Sequence, residues 1–367
     1  TNIMESNQAW FDLALEVSPT DENVLYTGCL NLWKSNNGGN AFQKLNSWFQ
    51  NNPAYTHADI HTLKIFNGKL FCGSDGGIYV SENGGTSFSD YTNGISISQF
   101  YRISVAEGNA SKIIGGLQDN GGHVLNNGSW NTYHGGDGMD NVIDPNNPNL
   151  IYGFTQFGGS LNISTDSGQS IGFVGPPRDS QGNSIQGNWI TPLAISSNGD
   201  VYAGYDALYK LIGNSWQKIS GPIGSGNIED IEIDPNNPMI IYAAESDFLF
   251  KSIDGGVTFK TLNRFDSAIS DIAINSTNGN ILYATTSNRV GISQANQQAL
   301  RGVFKITVNG NNAIEEDITY NLPKDQAFFA IIHQGRNSTN PIYVGTSLGV
   351  YRLDDTLTPQ LEIWKLV

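Results

Sequence analysis

Positive charge is scarce in this chain of 367 residues, which has 19 Lys and Arg against 34 Asp and Glu and a formal net charge of −15. A surface that binds nucleic acid or anionic lipid must neutralise phosphates with basic side chains. The composition therefore argues against a nucleic-acid partner and favours cations or neutral glycans as ligands.

Long apolar runs are also absent. No stretch reaches the roughly 18 continuous apolar residues that a membrane-spanning helix needs, so we expect no direct membrane insertion. The first residues, TNIMESNQAW, lack the charged and apolar regions of a signal peptide. We expect a mature or excised segment, with neighbouring domains of a larger chain among its partners.

Cysteine is limited to Cys29 and Cys72, which lie in the similar segments YTGC and LFCG. Aligning the shared Gly28 and Gly73 places the two thiols at adjacent strand positions of opposite parity. Such side chains point to opposite faces of their sheets, so we expect no disulfide.

Glycine is abundant, with 42 residues, and short apolar runs alternate with Asn, Ser and Thr. An eight-residue box recurs as SNNGGNAF (35–42), SENGGTSF (81–88), STDSGQSI (164–171) and SIDGGVTF (252–259). Its Asp or Asn side chain accepts hydrogen bonds from nearby amides and its Gly supplies a positive φ. We therefore expect Asn37, Asn83, Asp166 and Asp254 to be structural residues that hold a turn.

The boxes recur at a period of about 44 residues and close units of four short strands, which is typical of propeller blades. Eight candidate inner strands are WFDLALEV (10–17), IHTLKI (60–65), FYRISV (100–105), MDNVID (139–144), WITPLAI (189–195), IEDIEID (228–234), ISDIAIN (269–275) and FFAIIHQ (328–334). The sequence predicts an all-β fold, a single β-propeller domain over 1–367 with eight blades, seven being the alternative. The segment 290–302 separates the second and third strands of one unit, which predicts an inserted loop between them.

Polar residues precede successive inner strands or follow second strands, so the topology predicts that they share one face. The candidate ligand-binding residues are His57, Asp59, His61, Gln99, Tyr101, Gln118, Asn120, Asp137, Asp140 and Trp189. They fit three interpretations: capping of strand ends, binding of a glycan or divalent cation, and acid/base hydrolysis. For hydrolysis the candidate catalytic pair is Asp75 and Asp119, in the similar loops GSDGG and GLQDNGG.

No cofactor is required by these residues, although a calcium ion would suit their oxygen atoms. The segment HADIH places His57, Asp59 and His61 on one side of a strand entrance, where they suit zinc as an alternative to simple hydrogen bonding. No metal ligand is assigned. No constellation of three arginines accompanies these segments, so the carboxylate clamp of a sialidase is not expected. Trp10, Phe100, Tyr101 and Trp189 are candidate sugar platforms.

Through the four boxes and the interleaved DPNNP turns, the chain resembles the Asp-box (BNR-repeat) propellers, which include sialidases, xyloglucan-degrading glycoside hydrolases and sortilin-type receptors. The segments HADIH, SDGGIYVSENGG, GGLQDNGG and GGDGMD resemble a sortilin-like class found in large secreted bacterial surface proteins. The resemblance implies a secreted or cell-surface location. We expect a module that binds a glycan or protein through its loop face, with a glycoside hydrolase that uses Asp75 and Asp119 as the alternative.

Overall fold

The computed structural model describes residues 3, 5–48, 52–287, 301–323, 326–335, 339–355 and 363–367. The strands group into eight four-stranded antiparallel sheets, which confirms the predicted all-β class and blade count. The chain divides into two compact units, Thr1–Gln99 and Phe100–Val367. The single domain over 1–367 stays a prediction, and residues 290–300 of the predicted insertion lie outside the described residues.

The first unit contains two sheets whose strands pair in chain order. These strands are β1 (Ala14–Val17), β2 (Leu25–Gly28), β3 (Leu32–Ser35) and β4 (Gln43–Lys44), then β5 (Ile60–Phe66), β6 (Lys69–Ser74), β7 (Gly77–Ser81) and β8 (Ser89–Asp90). Leu32, Leu63 and Cys72 belong to the core between the sheets. Burial of such apolar side chains contributes about 1.5–3 kcal/mol each. Cys29 and Cys72 are buried and free, as predicted.

The second unit contains six sheets built in the same way. The first three consist of β9 (Phe100–Ala106), β10 (Asn109–Leu117), β11 (Gly121–Asn126) and β12 (Ser129–His134); β13 (Gly138–Ile143), β14 (Ile151–Thr155), β15 (Leu161–Ser164) and β16 (Gly172–Val174); and β17 (Leu193–Ile195), β18 (Val201–Gly204), β19 (Leu208–Ile212) and β20 (Ser215–Lys218). The last three consist of β21 (Asp230–Ile233), β22 (Ile241–Glu245), β23 (Phe248–Ser252) and β24 (Lys260–Arg264); β25 (Ile269–Ile274), β26 (Ile281–Thr286), β27 (Val303–Asn309) and β28 (Asn312–Asp317); and β29 (Phe328–His333), β30 (Pro341–Thr346), β31 (Gly349–Asp354) and β32 (Lys365–Leu366). Each sheet of this unit packs on the next through a buried apolar core.

All eight predicted inner strands are present, but β21 begins two residues later than predicted, and β1 and β17 each begin four residues later. Before β1, the amides of Phe11 and Asp12 both donate to the carbonyl of Gln8, so a turn occupies these positions. Before β17, Pro192 has no amide hydrogen to donate to a strand ladder. The aromatic residues Trp10 and Trp189 therefore lie in loops and not in strands.

The four boxes form one kind of turn, directly after the third strand of their sheets. In the last turn the Ser252 hydroxyl donates to Asp254 Oδ1 (2.7 Å) and accepts the amide hydrogen of Gly256 (2.9 Å). Asp254 Oδ1 also accepts the amide of Thr258 (2.9 Å). The equivalent hydroxyl-to-side-chain bonds are Ser35 to Asn37 (2.9 Å), Ser81 to Asn83 (2.9 Å) and Ser164 to Asp166 (2.7 Å).

Helical structure is nearly absent from the part of the chain that the structure describes. Its one helical element is a single 3₁₀ turn, Gln156–Gly158. Across the described ranges, no helix has the length and apolar character to cross a membrane.

Candidate functional site

Three aromatic side chains of the second unit meet beside the start of β17. The ring of Trp189 lies 5.0 Å from that of Phe157 at 81°, and 6.3 Å from that of Tyr101 at 77°, measured between ring centroids. Trp189 is 40% exposed and Phe157 is 37% exposed. Exposed aromatic rings held by neighbouring rings offer flat apolar surface with a polar edge, as sugar platforms do. Tyr101, Phe157 and Trp189 are called the aromatic cluster below.

Backbone contacts hold the two loops of the aromatic cluster together. The amide of Phe157 donates to the carbonyl of Trp189 (3.1 Å), and the amide of Gly187 donates to the carbonyl of Phe157 (3.0 Å). The buried hydroxyl of Tyr205 donates to the carbonyl of Gly158 (2.8 Å). Phe157 has φ +60°, a conformation that costs an aromatic residue about 1–2 kcal/mol. The surrounding contacts therefore hold Phe157 in a strained position.

Two carboxylates lie close to the aromatic cluster. Asp137 is buried, and its Oδ1 accepts the amide hydrogen of Asp119 (2.9 Å) from the loop between β10 and β11. Burial raises the pKa of Tyr101, and the negative charges of Asp137 and Asp119 raise it further, whereas a hydrogen bond with Trp189 lowers it. Both carboxylates thus act on the Tyr101 hydroxyl. Tyr101, Asp119, Asp137, Phe157 and Trp189 are called the aromatic–carboxylate site.

Two further predicted residues flank Asp119. The Asn120 side-chain amide donates to the carbonyl of Gln118 (3.1 Å), and Gln118 is exposed. The structure therefore brings the predicted residues Tyr101, Asp119, Asp137 and Trp189 together, with Gln118 and Asn120 at the edge.

Phe157 was missed by the sequence analysis. A usable signal exists, because QFGG follows a second strand in the same way as SDGG and QDNGG. Its positive φ, by contrast, is not predicted by the residue types in this segment.

Asp140 lies on β13, and its carboxylate accepts hydrogen bonds from two backbone amides. Its Oδ2 accepts the amide of Leu193 (2.8 Å) at the start of β17, and its Oδ1 accepts that of Asn141 (2.9 Å). Asp230 Oδ2 likewise accepts the amide of Ile272 (2.8 Å) on the next inner strand. These carboxylates thus join consecutive inner strands inside the second unit.

Asp271 repeats this contact one blade later, where its Oδ2 accepts the amide of Ile331 (2.7 Å). Asp271 and Asp230 are also hydrogen-bonded to each other, and the Arg102 guanidinium attracts both. Burial raises the pKa of Asp230, and raises those of Asp271 and Glu232 well above their usual values. Arg102, Asp140, Asp230, Glu232 and Asp271 are called the interior acid cluster.

Of this cluster, only Asp140 was a predicted site residue. Asp230 and Asp271 had a signal, because MDNVID, IEDIEID and ISDIAIN each place an Asp four positions before their last residue. In FYRISVA, Arg102 stands four positions before the last residue.

In the first unit, His61 Nε2 lies 2.6 Å from Asp75 Oδ1, and the ring of Phe11 meets His61 edge-on at 5.2 Å. Trp10 is 85% exposed. Gln99 is exposed at the end of this unit. Asp75 and His61 thus form a pair beside exposed aromatic surface, and the pairing of Asp75 with Asp119 for catalysis stays a prediction.

The histidines and carboxylate of HADIH do not assemble as the zinc alternative required. Asp59 has φ +61°, which breaks the alternation of side chains along a strand. His57 Nδ1 instead lies 3.1 Å from the carbonyl of Ala58, and Asp59 Oδ1 accepts from the Gln8 amide group (3.4 Å). Among the described residues, no three His, Cys, Asp or Glu side chains gather in a way that would hold a metal ion.

No protein-family model matches this chain, and no curated protein matches it. Among solved structures it is similar to a GH74 enzyme of Niastella koreensis, with 18% identity over 93% of this chain and 61% of that chain and a TM-score of 0.34. The chain spans 61% of that enzyme and 38% of an ancestral GH74 enzyme.

Two propeller domains superpose better on this chain. They are the Cps50 (Swd1) β-propeller domain of Myceliophteria thermophila, with 11% identity over 80% of this chain and 96% of that chain and a TM-score of 0.54, and the Pan2 WD40 domain of Neurospora crassa, with 12% identity, 74% and 80% coverage and a TM-score of 0.53. With the eight four-stranded sheets, this likeness shows that the chain has an all-β propeller fold of eight blades.

Proposed function

We propose that this protein is an extracellular binding module that holds a neutral glycan at the aromatic–carboxylate site. The observation that carries the proposal is the exposed ring of Trp189, set nearly perpendicular to Phe157 and to Tyr101, whose hydroxyl is acted on by the charges of two carboxylates. Apolar faces of sugar rings pack on exposed aromatic surface, and sugar hydroxyls donate to carboxylate oxygens. The resemblance to secreted Asp-box propellers supports the extracellular location.

Charge supports a neutral ligand over an anionic one. The formal net charge is −15, and the charges of Asp119 and Asp137 act on the Tyr101 hydroxyl. A carboxylated sugar would face both charges without a basic partner from the aromatic–carboxylate site. Uncharged oligosaccharides are therefore the ligand class that the site fits best.

The test is a screen of neutral and acidic oligosaccharides, followed by calorimetry on the strongest ligand with and without calcium. Trp189→Ala should weaken binding at least tenfold. A tenfold loss corresponds to about 1.4 kcal/mol, and truncation of an aromatic residue that dominates binding costs about 2 kcal/mol or more. Trp130→Ala is the matched control, since Trp130 is also exposed but lies on the outer strand β12. Equal losses in both variants, or no glycan bound under any condition, would contradict the proposal and favour a protein partner.

Hydrolysis of the glycan is the second candidate, and the contact of the Asp119 amide with the Asp137 carboxylate favours it, because it brings two acidic residues together. Glycoside hydrolases use two carboxylates about 5–9.5 Å apart. Reducing ends released from a bound oligosaccharide would support this activity if Asp119→Asn abolishes the release. The variant Asp75→Asn tests the pair expected from the sequence. Binding without any release, at several values of pH, would exclude hydrolysis of that glycan.

A further inference from the structure

Asp140 joins two of the segments that carry the aromatic–carboxylate site. Its strand β13 starts at Gly138, directly after Asp137, and its Oδ2 accepts the amide of Leu193 at 2.8 Å. Leu193 is the first residue of β17 and lies four positions after Trp189. One hydrogen bond thus connects the strand that positions a carboxylate of the site with the strand that follows its largest aromatic ring.

The charged groups that face Asp140 come from two other strands. Arg102 on β9 attracts the carboxylate, whereas Asp230 and Glu232 on β21 repel it. The strand β17, Leu193–Ile195, carries no ionisable side chain. Burial raises the pKa of Asp140 to about 6, against the lowering effects of Arg102 and of the amides of Leu193 and Asn141.

We propose that Asp140 is a positioning residue, which holds the Trp189 loop against Asp137 in its ionised form and releases that hold when it takes up a proton. The expected effect of Asp140 on ligand binding rests on the proposed glycan site. An ionised carboxylate accepts a hydrogen bond that is roughly twice as strong as the bond to a neutral carboxyl. Both oxygens of Asp140 are engaged by backbone amides, so the residue sets geometry and does not reach a ligand.

The direction of the pH effect follows from the pKa of Asp140 in the folded chain, which burial raises to about 6. Above this pH, Asp140 is ionised and the bond to Leu193 is charge-assisted. Below it, the carboxyl is neutral, the bond weakens, and the spacing between Asp137 and Trp189 is no longer fixed by a strong contact. Since linkage is reciprocal, a ligand that needs the fixed spacing releases a proton when it binds near pH 6.

The first experiment needs no ligand. Fluorescence of Trp189, taken as the difference between the wild-type chain and Trp189→Phe, is recorded from about pH 4.5 to 8. We expect an inflection near pH 6 that is lost in Asp140→Asn, whose signal should match the low-pH wild type throughout. Asp254→Asn is the matched control, because Asn occupies the same place in two other turns. An inflection that persists in Asp140→Asn, or that disappears in Asp137→Asn instead, would overturn the proposal.

If Asp140→Asn does not fold, hydrogen exchange at the Leu193 amide of the wild-type chain replaces it. After correction for the intrinsic exchange rate, protection should fall at least threefold between pH 7.5 and 5. Constant protection at Leu193 across this range contradicts the proposed release.

The ligand arm uses cellohexaose, a neutral hexasaccharide, in calorimetry at pH 7.5 and 5. The dissociation constant of the wild-type chain should rise about tenfold at pH 5, and that of Asp140→Asn should be high at both values. Equal affinities of the wild type at the two values would contradict the positioning role. A pH-dependent Trp189 signal without binding of any glycan in the screen would contradict the proposed function and leave the positioning role standing.

Discussion

The Lys112 ammonium on β10 donates a hydrogen bond to the Ser167 hydroxyl in the turn after β15, over 2.5 Å. Lys112 is only 3% exposed, and burial lowers its pKa. Ser167 has φ +64°, at the position that Gly38, Gly84 and Gly255 occupy in the other three turns. The hydrogen bond therefore accompanies a backbone conformation that serine adopts only at a cost.

This pair predicts an interaction between two substitutions. Ser167→Gly relieves about 1 kcal/mol of backbone strain but leaves a buried ammonium group without this partner, at a cost of about 1–3 kcal/mol. We expect a net loss of about 1 kcal/mol in the wild-type chain and a gain of about 1 kcal/mol in Lys112→Met, where no charge remains. Denaturant unfolding of the four chains measures both values. A Ser167→Gly effect that is the same in both backgrounds would show that the two residues are not coupled.

The interior acid cluster predicts that stability falls as pH rises. Burial raises the pKa of Asp140 to about 6 and raises those of Asp271 and Glu232 well above their usual values. At these carboxyls the folded chain therefore binds more protons than the unfolded chain above about pH 4, and the stability that they contribute is lost as pH rises through the folded-state values. The free energy of unfolding should be larger at pH 5 than at pH 8.

The variant Asp271→Asn tests the origin of that slope. Its amide group is able to donate to Asp230 and to accept from Ile331 as Asp271 does, without a charge to bury. We expect a gain of about 1–2 kcal/mol at pH 8 and little change at pH 5. Stability that increases from pH 5 to pH 8 in the wild-type chain would refute the prediction.

The turn residues predict a contrast between two substitutions of Asp254. Asp254→Ala removes the acceptor for the Ser252 hydroxyl and for the amide and hydroxyl of Thr258, and should lower the melting temperature by about 3 °C. Asp254→Asn should change it little, since Asn37 and Asn83 make the same bonds. Calorimetry on both variants measures the difference, and equal melting temperatures would mean that the side chain does not hold the turn.

Phe157 predicts that two substitutions weaken binding alike but differ in stability. Phe157→Gly and Phe157→Ala both remove the ring that packs on Trp189, so both should weaken glycan binding. Only glycine adopts φ +60° freely, so the Gly variant should be more stable than the Ala variant by about 1 kcal/mol. Unfolding and calorimetry on the same samples provide both numbers. Equal stability of the two variants would show that the backbone of Phe157 relaxes.

The two cysteines should react slowly with a thiol-specific reagent in the folded chain. Burial raises the pKa of Cys72 to about 12 and also raises that of Cys29. Because the thiolate is the reactive species, a disulfide reagent at pH 8 should label neither thiol until the chain unfolds. Rapid labelling of Cys72 under native conditions would show that its core opens.

Sequence patterns predicted the blades well because each inner strand carries its own apolar alternation and its own flanking turn. They placed strand starts less well where a loop residue is aromatic, as at Trp10 and Trp189, since burial and not residue type separates a core aromatic from an exposed one. The grouping of Tyr101, Asp137 and Trp189 was predicted by loop topology. The distances were not, because they depend on ring orientations and on the strained Phe157.

The interior acid cluster shows another limit. A repeated Asp at one offset in three strands is visible in the sequence, yet acidic residues in polar strands are ordinary by composition. Only the contacts with Leu193, Ile272 and Ile331 show that these carboxylates bind the following strand. The histidines of HADIH illustrate the converse, because one backbone angle at Asp59 separates residues that spacing alone would group.

The carboxylate contacts between inner strands have a direction along the chain. Asp140, Asp230 and Asp271 each accept an amide from a strand that follows them in sequence. On a ribosome, each of these acids emerges before the amide that it accepts from the following inner strand. A nascent chain halted after β21 would thus carry Asp230 without the Ile272 amide that its Oδ2 accepts. Translation therefore sets the order in which these hydrogen bonds between inner strands become possible.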